Sequence, residues 1–181
     1  MTNVLLFGVS CVGKTTLGAL LAQSLGYEFF DLDEETKKYY SMTLEEFVHT
    51  GTLRERDTMR SALLKRLLEC GMDKVVAVTP ISYAGFINDI LQRNDVVAIV
   101  LEDTPEHIFD RLVFSDENDV IYRDDEYKNA RKDHYMEDIA EDIRVYNMNT
   151  FRMIDRKFFV NGETPETAVE RLIEEFGLKE K

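Results

Sequence analysis

The sequence predicts an α/β fold built on a parallel sheet, and three observations predict it. Apolar runs at 3–7, 74–78, 96–101 and 157–160 read as buried strands, and helical patterns separate them, the alternation expected of βαβ units. The first run leads into Gly8-Val9-Ser10-Cys11-Val12-Gly13-Lys14-Thr15, a complete G-x-x-x-x-G-K-[ST] phosphate loop, and an amphipathic stretch from Thr16 to Leu25 follows it. The chain has 181 residues, with no repeat, linker or low-complexity tract to divide it, so one domain over 1–181 is expected.

The loop predicts a bound nucleoside triphosphate, because each residue type has a task. Glycines let the backbone wrap until its N–H groups point at phosphate, and the following helix adds the positive end of its dipole. Lys14 brings a full charge to the β/γ oxygens, and Thr15 offers its hydroxyl to Mg²⁺. Gly8, Ser10, Cys11, Val12, Gly13, Lys14, Thr15 and Thr16 are the expected nucleotide contacts, with Cys11 at a position the pattern leaves open. Gly26 sits where a helix would end, and the short apolar pair Phe29-Phe30 then runs into Asp31-Leu32-Asp33. An extended segment there would turn both carboxylates the same way, at the strand end where open α/β sheets bind ligands. One could hold Mg²⁺ and the other accept a proton from a substrate hydroxyl; Asp33 could equally cap a helix starting at Glu34.

Further boundaries are written in the chain. Thr43 and Glu46 form a capping box, Gly71 reads as a helix end, and Thr104-Pro105 and Thr164-Pro165 read as an N-cap followed by proline in the first turn. Between Arg54 and Cys70, Met59, Leu63, Leu64, Leu67 and Leu68 share one helical face, while Arg54, Arg56 and Arg60 crowd its start. The stretch 115–126, SDENDVIYRDDE, has no periodicity and reads as a mobile acidic excursion before a long polar helix reaching about Met148.

Lys and Arg number 22 against 35 Asp and Glu, a formal charge of −13 that opposes binding to nucleic acid or anionic membrane surfaces. The two cysteines, Cys11 and Cys70, lack metal-ligand spacing, and no apolar run approaches the roughly 20 residues of a membrane span, so a cytoplasmic protein is expected. His49, His107 and His134 have no triad or metal spacing and receive no role.

With these segments in order, the chain resembles shikimate kinases, small phosphate-loop enzymes that move the γ-phosphoryl of ATP to a hydroxyl of a cyclic carboxylic acid. The likeness is strongest from the loop through LAQSLGYEFFDLDEETKKYYSMTLEEFVHTG. It implies a five-stranded parallel sheet flanked by helices, an acceptor-binding region near 34–60, a lid near 112–127, ATP and Mg²⁺, a monomer, and a place in aromatic amino acid biosynthesis. Residue by residue, it assigns Asp31 to Mg²⁺, Asp33 to the acceptor hydroxyls as candidate base, Arg56 and Arg131 to the acceptor carboxylate, and Arg111 to the adenine ring. Two departures stand out. Thr79-Pro80-Ile81 replaces the family's triple glycine, placing Thr79 and Pro80 beside the acceptor, and the lid lacks the family's Arg-Pro pair, leaving Arg123 as the nearest cation to balance charge on the transferring phosphoryl. A sugar acid as acceptor, or a nucleotide-binding regulatory protein with weak catalysis, are the alternatives these departures leave.

Overall fold

The structure is a computed structural model that describes residues 2–179. Its centre is a parallel sheet of β1 (Asn3–Phe7), β2 (Glu28–Asp31), β3 (Lys74–Ala77), β4 (Val96–Glu102) and β7 (Lys157–Phe159), in the order β2-β3-β1-β4-β7. All four pairings are parallel, with Leu5 beside Val76 on one side and Ala98 on the other. β1 lies in the middle and all five of its residues are buried, which explains its unbroken apolar run. Its one polar member, Asn3, donates to the carbonyl and carboxylate of Asp95.

Helices α1 (Lys14–Leu25), α2 (Leu32–Tyr40), α3 (Leu44–Val48), α4 (Leu53–Glu69), α5 (Asn88–Leu91) and α6 (Pro105–Asp110) alternate with these strands; α7 (Asp125–Ala130), α8 (Lys132–Met148) and α9 (Pro165–Phe176) complete the chain. α1 buries Leu17, Leu21 and Leu25 and packs on β2, β3 and α9, while α8 packs on α6. α4 buries Leu63, Leu64, Leu67 and Leu68 as its periodicity requires, but also Asp57, Arg60 and Ser61, which periodicity did not mark. The Thr43–Glu46 capping box is present, as are the Thr104 and Thr164 caps before proline.

Three local expectations change. Asp31, not Asp33, is the N-cap of α2: its side chain accepts from the Asp33 N–H, so the two carboxylates straddle the strand end and the first helical turn instead of sharing an extended face. Gly71 is not a left-handed helix end, because α4 stops at an extended Cys70. The acidic excursion contains a small antiparallel hairpin, β5 (Phe114–Ser115) with β6 (Ile121–Tyr122). Asp116 tightens its turn by accepting from Asn118 N and Val120 N, a bonding pattern that aspartate supplies without any hydrophobic periodicity.

Candidate active site

The loop after β1 and the two segments after β2 and β3 meet at the C-terminal edge of the sheet. Gly8 and Gly13 have φ of 149° and 110°, and a Cβ on Gly8 would stand 2.7 Å from Val12 Cγ1 and 2.8 Å from the Leu101 carbonyl oxygen. Cys11 also takes a left-handed conformation, φ 59°, so the open position of the motif carries a backbone constraint that the pattern did not reveal. α1 begins directly after Gly13 with no side-chain cap, leaving its first N–H groups for an anion.

Lys14 Nζ donates to the carbonyls of Gly8 and Val9 at 3.0 and 2.8 Å. Burial pulls its ammonium down to about 8, with Asp33, Asp31 and the Cys11 sulfur pulling the other way. The Thr15 hydroxyl donates to Asp31 Oδ2 at 2.6 Å, and Asp31 Oδ1 accepts from Asp33 N at 2.9 Å. Asp33 in turn accepts at Oδ1 from Arg60 Nη2 at 3.3 Å.

Two adjoining cavities share Cys11, Lys14 and Thr15. One, about 620 Å³, runs along the loop and α1 and is lined also by Arg111, Arg123, Val160 and Pro165. The other, about 360 Å³, is lined by Asp31, Asp33, Lys37, Thr79 and Pro80, and the hairpin covers it with Phe114 and Asp119. Arg111, expected at the nucleotide, and Arg123, expected as the lid cation, therefore face the first cavity, and Asp33, Thr79 and Pro80 the second. Arg111 is fixed there, with Nε on the Cys11 carbonyl at 3.2 Å and Nη2 on the buried Asp103 carboxylate at 2.7 Å. Burial pushes Asp103 up, but Arg111, His107 and the Thr104 N–H outweigh it and hold the carboxyl below its ordinary value. His107, which the sequence left without a role, is thus a structural partner of Asp103, at 2.8 Å.

The two arginines expected at the acceptor carboxylate stand elsewhere. Arg56 folds back on the carbonyls of Thr50 and Gly51 at 3.3 and 3.0 Å, because it lies in the opening turns of α4 beside those exposed groups. Arg131 is exposed and lies against the Tyr127 ring, 3.8 Å from its centroid. Neither lines the cavity. The basic residues that do are Lys14 and Lys37; Lys37, one helical turn after Asp33, is the one the sequence left without a role. Lys37 pairs with Glu34 at 2.6 Å and approaches Asp119 at 3.8 Å, and Asp119 also accepts from Leu44 N at 2.9 Å, tying the hairpin to the 34–60 region. Just after Thr79-Pro80-Ile81, Asp57 accepts from the N–H groups of Ser82 and Tyr83 at 2.8 and 3.2 Å.

Among the described residues no group of three His, Cys, Asp or Glu side chains could hold a metal alone. An oxygen pair such as Thr15 and Asp31 at the loop mouth fits a hard divalent cation that completes its shell with phosphate and water.

A family model described as shikimate kinase matches residues 10–176. The chain belongs to the shikimate kinase family. A shikimate kinase of Caldicellulosiruptor bescii is 27% identical over 180 residues, spanning 96% of this chain and 94% of that one. A crystal structure of shikimate kinase from Bacteroides thetaiotaomicron superposes with a TM-score of 0.77 at 20% identity, covering 98% of this chain and 99% of that one. The Acinetobacter baumannii shikimate kinase in complex with shikimate gives 0.73 at 21% identity, covering 99% and 96%. These shikimate kinase structures share the five-stranded parallel sheet flanked by helices. No helix of the described residues is long and apolar enough to cross a membrane.

Proposed function

We propose that the chain transfers the γ-phosphoryl group of ATP to a ring hydroxyl of shikimate, as a monomeric cytoplasmic enzyme of aromatic amino acid biosynthesis. The observation that carries this reading is a shikimate kinase match over residues 10–176 together with a phosphate loop and an Asp31-x-Asp33 pair on one continuous cavity wall. In this reading the chain is one domain, with an acceptor region at about 34–60 and a lid at about 112–127.

The placements support the roles that the family resemblance implies. The loop N–H groups and Lys14 cradle the triphosphate, and Lys14 exchanges its two carbonyl partners for phosphate oxygens. Thr15 and Asp31 hold Mg²⁺, which neutralises charge on the β/γ oxygens when bound. Arg111 takes the nucleotide end of the cavity, and Arg123, carried just after β6, supplies the cation the lid otherwise lacks. Asp33 orients the acceptor hydroxyl and takes its proton as the phosphoryl arrives. Thr79 and Pro80 shape the acceptor wall in place of glycine backbone.

An ADP-release assay with Mg-ATP tests this, comparing shikimate, quinate, gluconate and no acceptor, with Asp33→Ala alongside. Shikimate-dependent release that the variant loses is expected. Turnover with gluconate alone would move the chain to a sugar-acid substrate, and silence with every acceptor despite ATP binding would overturn the catalytic reading.

A further inference from the structure

Arg60 is the least explained charge in the molecule. It sits on α4 one turn beyond Arg56, its side chain is only 11% exposed, and its Nε is buried without a hydrogen-bond partner. Among the described residues its single hydrogen bond runs from Nη2 to Asp33 Oδ1, at 3.3 Å. The Phe47 ring lies against the guanidinium, 4.9 Å from its central carbon, so the group is confined from the side as well as the end. Burying a guanidinium for one long ion pair, with the buried Asp57 carboxylate as a further nearby charge, is an expensive way to join two helices, and apolar residues would pack the junction of α2 and α4 at lower cost.

What the arrangement does achieve is asymmetry at Asp33. Oδ1 is engaged by Arg60, whereas Oδ2 receives no hydrogen bond from any described residue, and Asp33 lines the cavity. Arg60 does not line that cavity, so it reaches the acceptor only through Asp33. We propose that Arg60 is the positioning residue of Asp33: it pins one carboxylate oxygen so that the other faces the acceptor hydroxyl and receives its proton. The inference rests on the shikimate reading above and adds to it a residue that the family resemblance did not mark.

A double-mutant cycle decides it. Wild type, Arg60→Met, Asp33→Asn and the double variant are compared for kcat and for the KM of shikimate and ATP; Arg60→Lys supplies a conservative arm and replaces Arg60→Met should that variant fail to fold. Arg60→Met is expected to lower kcat on the order of tenfold or more while the KM for ATP stays within about threefold. In the Asp33→Asn background the same change should cost nothing further, and Arg60→Lys should recover part of the loss. Equal fold losses in both backgrounds, or an unchanged kcat, would show that Arg60 acts independently of Asp33 and overturn the inference alone. A wild-type protein silent with shikimate would instead sink the underlying reading, and the inference with it.

Discussion

Nucleotide binding should draw a proton onto Lys14, and removing that charge should leave the stability of the free protein nearly unchanged. Burial pulls this ammonium from its ordinary 10.5 to about 8. At 1.36 kcal/mol per pKa unit, holding the charge in the loop costs about 3 kcal/mol. Two charge-assisted hydrogen bonds to the Gly8 and Val9 carbonyls, each worth about 1.5 kcal/mol or more, would be lost on substitution and offset that cost, so Lys14→Met should leave stability at pH 7 nearly unchanged while losing turnover. The sign of the pH dependence follows from the lowered value. Between about 8 and 10.5 the unfolded chain holds a proton that the folded chain has released, so this group makes stability rise with pH across that window. Bound phosphates reverse the balance and restore the charge. Calorimetry at pH 8, in buffers of different ionisation enthalpy, should therefore find about half a proton more taken up per ATP by wild type than by Lys14→Met, and almost none at pH 6. Equal uptake by the two proteins at pH 8 would refute the account.

Three other outcomes are expected. Asp103→Asn should destabilise the fold by about 3 kcal/mol in urea titrations and weaken ATP binding, since it releases Arg111 and His107. Because the Asp103 carboxyl is held below its ordinary value, its contribution should be full above about pH 4 and lost as pH falls further, a dependence the variant lacks. Asp119→Ala should speed hydrogen exchange at β5 and β6 with little change in the core, because that carboxylate ties the hairpin to Leu44 and Lys37. Gly8→Ala should abolish the thermal shift on adding ATP, since its Cβ would collide with Val12 and the Leu101 carbonyl.

Legibility in the sequence followed the range of the interaction. The phosphate loop, the strands and the capped helix starts are set by neighbours a few residues away, and the Thr43, Thr104 and Thr164 caps form as written. The hairpin was missed because its two strands pair through only two residues each, too few for a period, and an aspartate turn, Asp119 and the Phe114–Tyr122 ring contact hold it. Asp31 displaced Asp33 as the cap because β2 runs one residue into the motif, a boundary that the four-residue strand Glu28–Asp31 leaves almost unmarked.

The acceptor side shows most clearly where local reading stops. Arg56 and Arg60 differ by one helical turn, and composition cannot say which of them reaches Asp33. The choice is made by where α4 begins: Thr52 is its N-cap and forms a capping box with Glu55, which puts Arg56 within reach of the unpaired carbonyls at Thr50 and Gly51. An arginine there satisfies exposed backbone oxygens at little cost. The next turn is the first to lie deep enough to meet α2, and it carries Asp57 and Arg60, both buried. Asp57 secures the chain just after Thr79-Pro80-Ile81 and Arg60 grips the carboxylate opposite, so a single turn of α4 supports both sides of the cavity beside the phosphate loop. Side-chain anchoring from α4 thereby orders the chain just beyond Thr79-Pro80-Ile81, and exchanging Thr79-Pro80 for glycines would leave Asp57 still holding Ser82 and Tyr83 in place.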